Sequence, residues 1–62
     1  MKARELKPGM KIKKGILIIE VKRIIKITDK AITYRVKRIA PDYYDGDIFE
    51  RNQLNTELTI IN

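Results

Sequence analysis

Apolar and polar residues alternate along most of the chain with a period of two, which is typical of half-buried β-strands. The clearest segments are 16–28 and 31–39, which are rich in isoleucine and valine and carry no capping residues of the kind that begin a helix. The odd positions of the first segment and the even positions of the second are the more apolar sets, so we expect them to face the core. The pattern predicts five strands, near residues 10–13, 16–28, 31–40, 47–51 and 57–61. Short strands at this regular spacing indicate a single all-β domain, residues 1–62, that forms a barrel or sandwich.

Turn signals separate the predicted strands. Pro8-Gly9 precedes the first strand. Asp29-Lys30 is the predicted tip of a hairpin between the second and third strands, which places Ile27 opposite Ile32. Asp45-Gly46 is a two-residue hairpin signal before the fourth strand. The stretch "NQLNT" at 52–56 breaks the alternation and predicts a single helical turn before the last strand.

This order of elements resembles that of the small SH3-like barrels. The resemblance covers most of the chain and lies in the five short strands, a long bent second strand and a one-turn element before the terminal strand. It implies an all-β, small five-stranded SH3-like barrel with a one-turn helical element before the last strand. The sequence lacks the aromatic signature and the tryptophan slot of peptide-binding SH3 domains, so proline-peptide binding is not expected. The opening "PGMKIKKG" is similar to ribosomal and elongation-factor KOW segments, whose later glycines are missing here.

Composition narrows the range of functions. The chain contains no cysteine, histidine or serine, so it has no disulfide, no thiolate or imidazole metal ligand, and none of the commonest nucleophile–base pairs. The acids between 42 and 50 do not follow the spacing of a calcium loop. We therefore expect a protein that is not an enzyme and has no metal, cofactor or small-molecule substrate. No apolar run approaches the ~20 residues of a membrane span, and 1–9 lacks the apolar centre of a secretory signal, so we expect a soluble cytoplasmic protein without a membrane partner.

The tetrapeptide VKRI occurs twice, at 21–24 and 36–39, in a chain of net charge +6. The predicted hairpin register places the two copies antiparallel, with Lys22 opposite Lys37. Like charges across a ladder are destabilising, by up to about 1 kcal/mol. We interpret the convergence of cations as an electrostatic footprint for the phosphates of DNA or RNA. The predicted nucleic-acid-binding residues are Lys22, Arg23, Lys26, Arg35, Lys37, Arg38 and Tyr43.

Three features of this basic face have alternative interpretations. Arg23 and Arg38 point inward by strict alternation, so we expect a bend or bulge that turns them outward, or a place at the open end of the barrel. One of Tyr43 and Tyr44 is expected to pack on the core and the other to stack on a base, although both can be ordinary packing residues. The cations can also be a solvated surface that only maintains solubility and protects strand edges.

A second hypothesis rests on apolar residues that fall on the nominal outer face. An outward apolar stripe on a domain this small indicates either cover by the N-terminal segment or a surface for a partner. The alternative function is therefore a protein-interaction or assembly module, homo-oligomers included. The predicted interface residues are Ile16, Ile18, Ile24 and Ile61.

Overall fold

The computed structural model describes residues 1–61, which form one five-stranded antiparallel sheet. The strands are β1 (Lys11–Lys14), β2 (Leu17–Ile27), β3 (Ala31–Ala40), β4 (Tyr44–Gln53) and β5 (Thr59–Ile61). Their order in the sheet is β4-β3-β2-β1-β5, because β5 returns to pair with the free side of β1. The predicted all-β class with five strands is confirmed. No helix within residues 1–61 has the length and apolar character needed to cross a membrane.

The β2–β3 hairpin determines which side chains reach the core. Ile27 pairs with Ile32 next to the turn, as the sequence predicts. Two β-bulges then leave Ile25 and Lys22 of β2 without partners of their own in β3. Each bulge reverses the inward and outward positions that follow it and increases the local twist of the strand. The simple alternation predicted along 16–28 is therefore interrupted twice.

The first bulge moves Ile24 from the outer face to the core. Ile24 pairs with the buried Tyr34 and packs against the core cluster. Its neighbour Ile25, predicted to face inward, is 42% exposed. The prediction that Ile24 lies on an outward apolar stripe is wrong, since the extra residue at Ile25 changes the phase of the alternation.

The core lies on one face of the curled sheet and includes the N-terminal segment. Its buried members are Ala3, Leu6, Ile12, Ile19, Val21, Ile32, Tyr34 and Val36. The hydroxyl of Tyr34 accepts a hydrogen bond of 2.7 Å from Nδ2 of Asn52, which satisfies its polar end. Burial raises the pKa of Tyr34, while the Asn52 hydrogen bond lowers it and the nearby Glu50 carboxylate raises it.

The helical turn of the chain lies at the N-terminus. Residues Ala3–Glu5 form a 3-10 turn that packs against β3 and β4. Its backbone is anchored to the segment before β5, where the N–H of Ala3 donates to the carbonyl of Thr56 at 2.9 Å. The prediction of a helical turn at 52–56 is wrong in position, because β4 continues to Gln53 and a non-helical turn follows.

The sheet curls, because the Lys14 ammonium on β1 donates to Glu50 on β4 although these strands are not neighbours in the sheet.

Asp45-Gly46 lies inside β4 and is not a turn. The chain reverses at residues 41–43 instead, and Gly46 does not adopt a positive φ. A methyl group at Gly46 would overlap the ring and hydroxyl of Tyr44, which lies across the glycine. The glycine therefore serves the close approach of an aromatic side chain, and the prediction of a hairpin at this dipeptide is wrong.

Candidate nucleic-acid interface

The outer face of β2, β3 and β4 presents two adjacent rows of side chains. One row is Arg23, Arg35 and Phe49, and the next is Lys26, Thr33 and Arg51. Directly paired residues of antiparallel strands project to the same face, and positions two apart on one strand lie about 6.8 Å apart. These six side chains therefore form a single surface, which we call the Phe49 face.

Phe49 is the apolar centre of this surface. Its side chain is 54% exposed, although β4 places Ile48 beside it on the core side. The guanidinium carbon of Arg35 lies 6.0 Å from the ring centroid, within the range of a cation–π contact. One side of the ring is thus held by Arg35, and much of the ring remains open to solvent.

The cations of the Phe49 face are mostly unpaired. Within residues 1–61, Arg23, Lys26 and Arg51 have no carboxylate within 4.0 Å of their charged nitrogens. Arg35 is the exception, since it donates to Asp47 at 2.7 Å. The Nε of Arg35 is buried and has no hydrogen-bond partner among the described residues. The face therefore carries a net positive charge around an exposed aromatic ring.

The remaining predicted cations lie farther along the sheet. We call this region the neutralised end, because each of its three cations pairs with a carboxylate. The ion pairs are Lys22–Asp45 at 2.6 Å, Lys37–Glu20 at 3.7 Å and Arg38–Asp42 at 3.3 Å. The prediction that Lys22 opposes Lys37 is wrong, because the second bulge falls at Lys22 and makes Glu20 the partner of Lys37. Exposed pairs add little stability, but they cancel charge that would attract phosphate. The two VKRI copies thus contribute Arg23 to the positive surface and their other three cations to ion pairs.

Asp45 shows how tightly this neutralised end is paired. The hydrogen bond from the Lys22 ammonium is the main cause that lowers the pKa of Asp45; desolvation opposes it, and the charges of Lys22, Lys37 and Arg35 lower the pKa further. Asp45 is therefore ionised throughout the physiological range.

Tyr43 and Tyr44 are both exposed. The prediction that one of them packs on the core is wrong, because the chain reverses at 41–43 and places both outside the core cluster. The Lys37 ammonium lies 5.7 Å from the ring centroid of Tyr43, and the Arg38 guanidinium carbon lies 5.5 Å from that of Tyr44. Since Lys37 and Arg35 are two residues apart on β3, Tyr43 and Phe49 contact successive outward cations. Tyr43 remains a candidate stacking residue at the neutralised end.

Sequence reasoning missed Phe49 and Arg51. The signal was present in "IFER", where an inward Ile48 requires Phe49 and Arg51 to point outward. Of the predicted binding residues, the register brings Arg23, Lys26 and Arg35 together on the Phe49 face. Lys22, Lys37, Arg38 and Tyr43 lie at the neutralised end.

The predicted apolar stripe is reduced to three residues. Ile16 is 82% exposed in the turn after β1, and Ile18 and Ile61 are half-buried beside the β1 lysines. The N-terminal segment inserts Ala3 and Leu6 into the core and leaves Ile16 exposed.

Within residues 1–61, no group of three or more acidic side chains is placed to hold a metal ion. No protein-family model, curated protein or solved structure matches the chain.

Proposed function

We propose that this protein is a non-enzymatic nucleic-acid-binding module whose Phe49 face binds single-stranded DNA or RNA. The observation that carries the proposal is the exposed Phe49 ring on the same surface as Arg23, Lys26, Arg35 and Arg51. Non-specific single-strand binding elsewhere combines such an aromatic ring with cations that follow the backbone. The net charge of +6 favours the approach of any polyanion.

The register suggests how a strand would lie. Phe49 is on β4, whereas Arg23 and Lys26 are on β2, two strands away and therefore about 9.6 Å across the sheet. A base stacked on Phe49 would direct its sugar and phosphate toward the β2 cations. Successive bases of a duplex are stacked on one another, so a single strand is the form that can offer a free base to the ring.

The fold proposal that accompanies this function is an SH3-like barrel. Five antiparallel strands and a long second strand bent by two bulges support the resemblance, while the turn before the last strand departs from it. Fold alone carries no function, so the proposal rests on the Phe49 face. We propose that the module acts in the cytoplasm.

The test is a titration of fluorescent single-stranded DNA and RNA at two salt concentrations. Phe49→Ala should weaken binding by about 1–3 kcal/mol, the usual contribution of one base–aromatic stack, and Phe49→Trp should retain binding. Ile16→Ala is the matched control, since it removes an exposed apolar side chain elsewhere. Affinity should also fall with salt, with a slope of about −0.7 per contacted phosphate. Absence of binding at low salt, or equal binding by Phe49→Ala, would refute the proposal.

A second candidate is an assembly module, and the exposure of Ile16 beside Ile18 and Ile61 favours it. An apolar surface next to the β1 lysines would then contact a second copy or another protein. Sedimentation at several concentrations tests this directly. A concentration-dependent dimer that Ile16→Lys abolishes would support it, and a monomer at all concentrations would count against self-association.

A further inference from the structure

Three separate segments meet at the end of the sheet that carries the β2–β3 turn. The N–H of Leu54, just after β4, donates to the carbonyl of Lys30 in that turn at 3.1 Å. The N–H of Arg4, in the N-terminal turn, donates to the carbonyl of Leu54 at 3.1 Å. These backbone bonds fix Arg4 and Lys30 on either side of the segment that follows β4.

A surface cleft of about 660 Å³ opens at this junction. Its volume lies within the range of ligand sites in proteins. The charged and amide residues that line it are Arg4, Asp29, Lys30, Arg51, Asn52, Gln53 and Asn55. Cations and amide N–H groups are the usual partners of phosphate and sugar oxygens.

The cations of the cleft are unpaired. In the part of the chain that the structure describes, Arg4, Lys30 and Arg51 have no carboxylate within 4.0 Å, although seven ion pairs occur elsewhere. Asp29 is the single acid among the lining residues, so three positive charges stand against one negative charge. Their mutual repulsion would be relieved by a bound anion.

Arg51 belongs to both the cleft and the Phe49 face. It lies two residues from Phe49 along β4, about 6.8 Å away, so the two surfaces are continuous. We infer that the cleft binds a phosphate group of the strand whose base stacks on Phe49, one or two nucleotides beyond that base. This inference rests on the proposed function, and it extends the binding site from the sheet face to the end of the sheet.

The experiment compares two double variants of equal charge. Arg4→Gln/Lys30→Gln removes two cleft cations that lie outside the Phe49 face, and Lys7→Gln/Lys13→Gln removes two exposed lysines outside both surfaces. Each is titrated with oligo-dT of four and ten nucleotides at several salt concentrations, after a melt confirms folding. We expect the cleft variant to bind the ten-nucleotide strand at least tenfold more weakly than the control. Its salt dependence should be less steep by about 0.7, the loss of the one phosphate contact that the cleft provides on a single strand.

A second readout does not depend on variants. Oligo-dT binding to the parent should shift the backbone amide resonances of Lys30, Leu54 and Asn55 in ¹⁵N spectra. If Phe49→Ala weakens binding while the cleft variant matches the lysine control and these amides do not shift, the cleft inference is overturned and the proposed function stands. If the parent binds no oligonucleotide, the proposed function fails and the cleft inference fails with it.

Discussion

Arg23 on β2 and Arg35 on β3 are direct cross-strand partners on the outer face of the sheet. Like charges in this position are destabilising by a few tenths to about 1 kcal/mol. Asp47 compensates Arg35 alone, through a hydrogen bond of 2.7 Å. A local conflict of this kind is expected where a surface is adapted to a partner more than to the stability of the free protein.

Replacing Arg23 with glutamate should separate stability from binding. The new carboxylate would face Arg35, so the free energy of unfolding should stay equal or rise by a few tenths of a kcal/mol. Nucleic-acid binding should weaken, because a phosphate contact is lost and the new carboxylate repels the strand. The salt slope should fall by about 0.7 for the lost phosphate contact. A thermal melt and a titration measure the two effects. Lys13→Glu is the control, because Lys13 pairs with Ile18 and Thr59 and faces no cation across the ladder.

Lys37→Glu should lower the stability of the protein, in contrast to Arg23→Glu. Glu20 is the cross-strand partner of Lys37, and their charged atoms lie 3.7 Å apart. The substitution would replace an attractive pair with two facing carboxylates, which should lower the free energy of unfolding by about 0.5–1 kcal/mol. Urea denaturation measures the change, and the swapped variant Glu20→Lys/Lys37→Glu should recover most of it. Parent-like stability of Lys37→Glu would mean that Glu20 and Lys37 do not face each other in solution.

The sequence could predict the strands more reliably than the faces of β2. Alternation and β-branched residues identify the five strands, and the pairing of Ile27 with Ile32 gives the register of the β2–β3 hairpin next to its turn. Ile24 and Ile25 are adjacent and chemically identical, so the pattern cannot say which of them is the extra residue of the bulge and which faces inward. Three-dimensional curvature decides it, since the bulges allow the long β2 to bend around the core.

The ion pairs that β4 forms with β2 and β3 could not be predicted from the sequence pattern either. Asp45-Gly46 has the composition of a tight hairpin turn, yet Gly46 accommodates the Tyr44 ring inside a strand. Extending β4 to Tyr44 brings Asp45 and Asp47 alongside β2 and β3 cations, where they neutralise Lys22 and Arg35. The net charge of the outer face therefore depends on where the β3–β4 turn lies, and local propensity placed that turn at Asp45-Gly46 incorrectly.

Acid should destabilise the protein partly through Asp45. The hydrogen bond from Lys22 lowers the folded-state pKa of Asp45 below its ordinary value of about 3.9. A lowered pKa contributes stability that is fully present above the unfolded-state pKa and is lost as pH falls through the folded-state value. Unfolding measured from pH 6 to pH 2 should therefore show declining stability below about pH 4. Asp45→Asn should flatten this decline.

Asp29→Asn is the control for the acid titration, because Asp29 forms no ion pair with any residue in 1–61. Glu57 contributes a decline of the same sign, since the N-terminal ammonium lowers its pKa through a hydrogen bond. If Asp45→Asn leaves the acid limb as steep as in the parent, the Lys22–Asp45 bond does not persist in solution.

Asp47 should act as an internal competitor of nucleic acid for Arg35. Its side chain is 81% exposed and holds the one Phe49-face cation that is paired within residues 1–61. Asp47→Asn should leave stability nearly unchanged, because an exposed pair contributes little. It should tighten binding several-fold and steepen the salt slope by about 0.7, as Arg35 becomes available to a phosphate. Asp42→Asn is the matched control, since it adds the same charge but releases Arg38 at the neutralised end. Equal effects of the two variants would show that net charge alone governs binding, and weaker binding by Asp47→Asn would show that Asp47 holds Arg35 in place for the ligand.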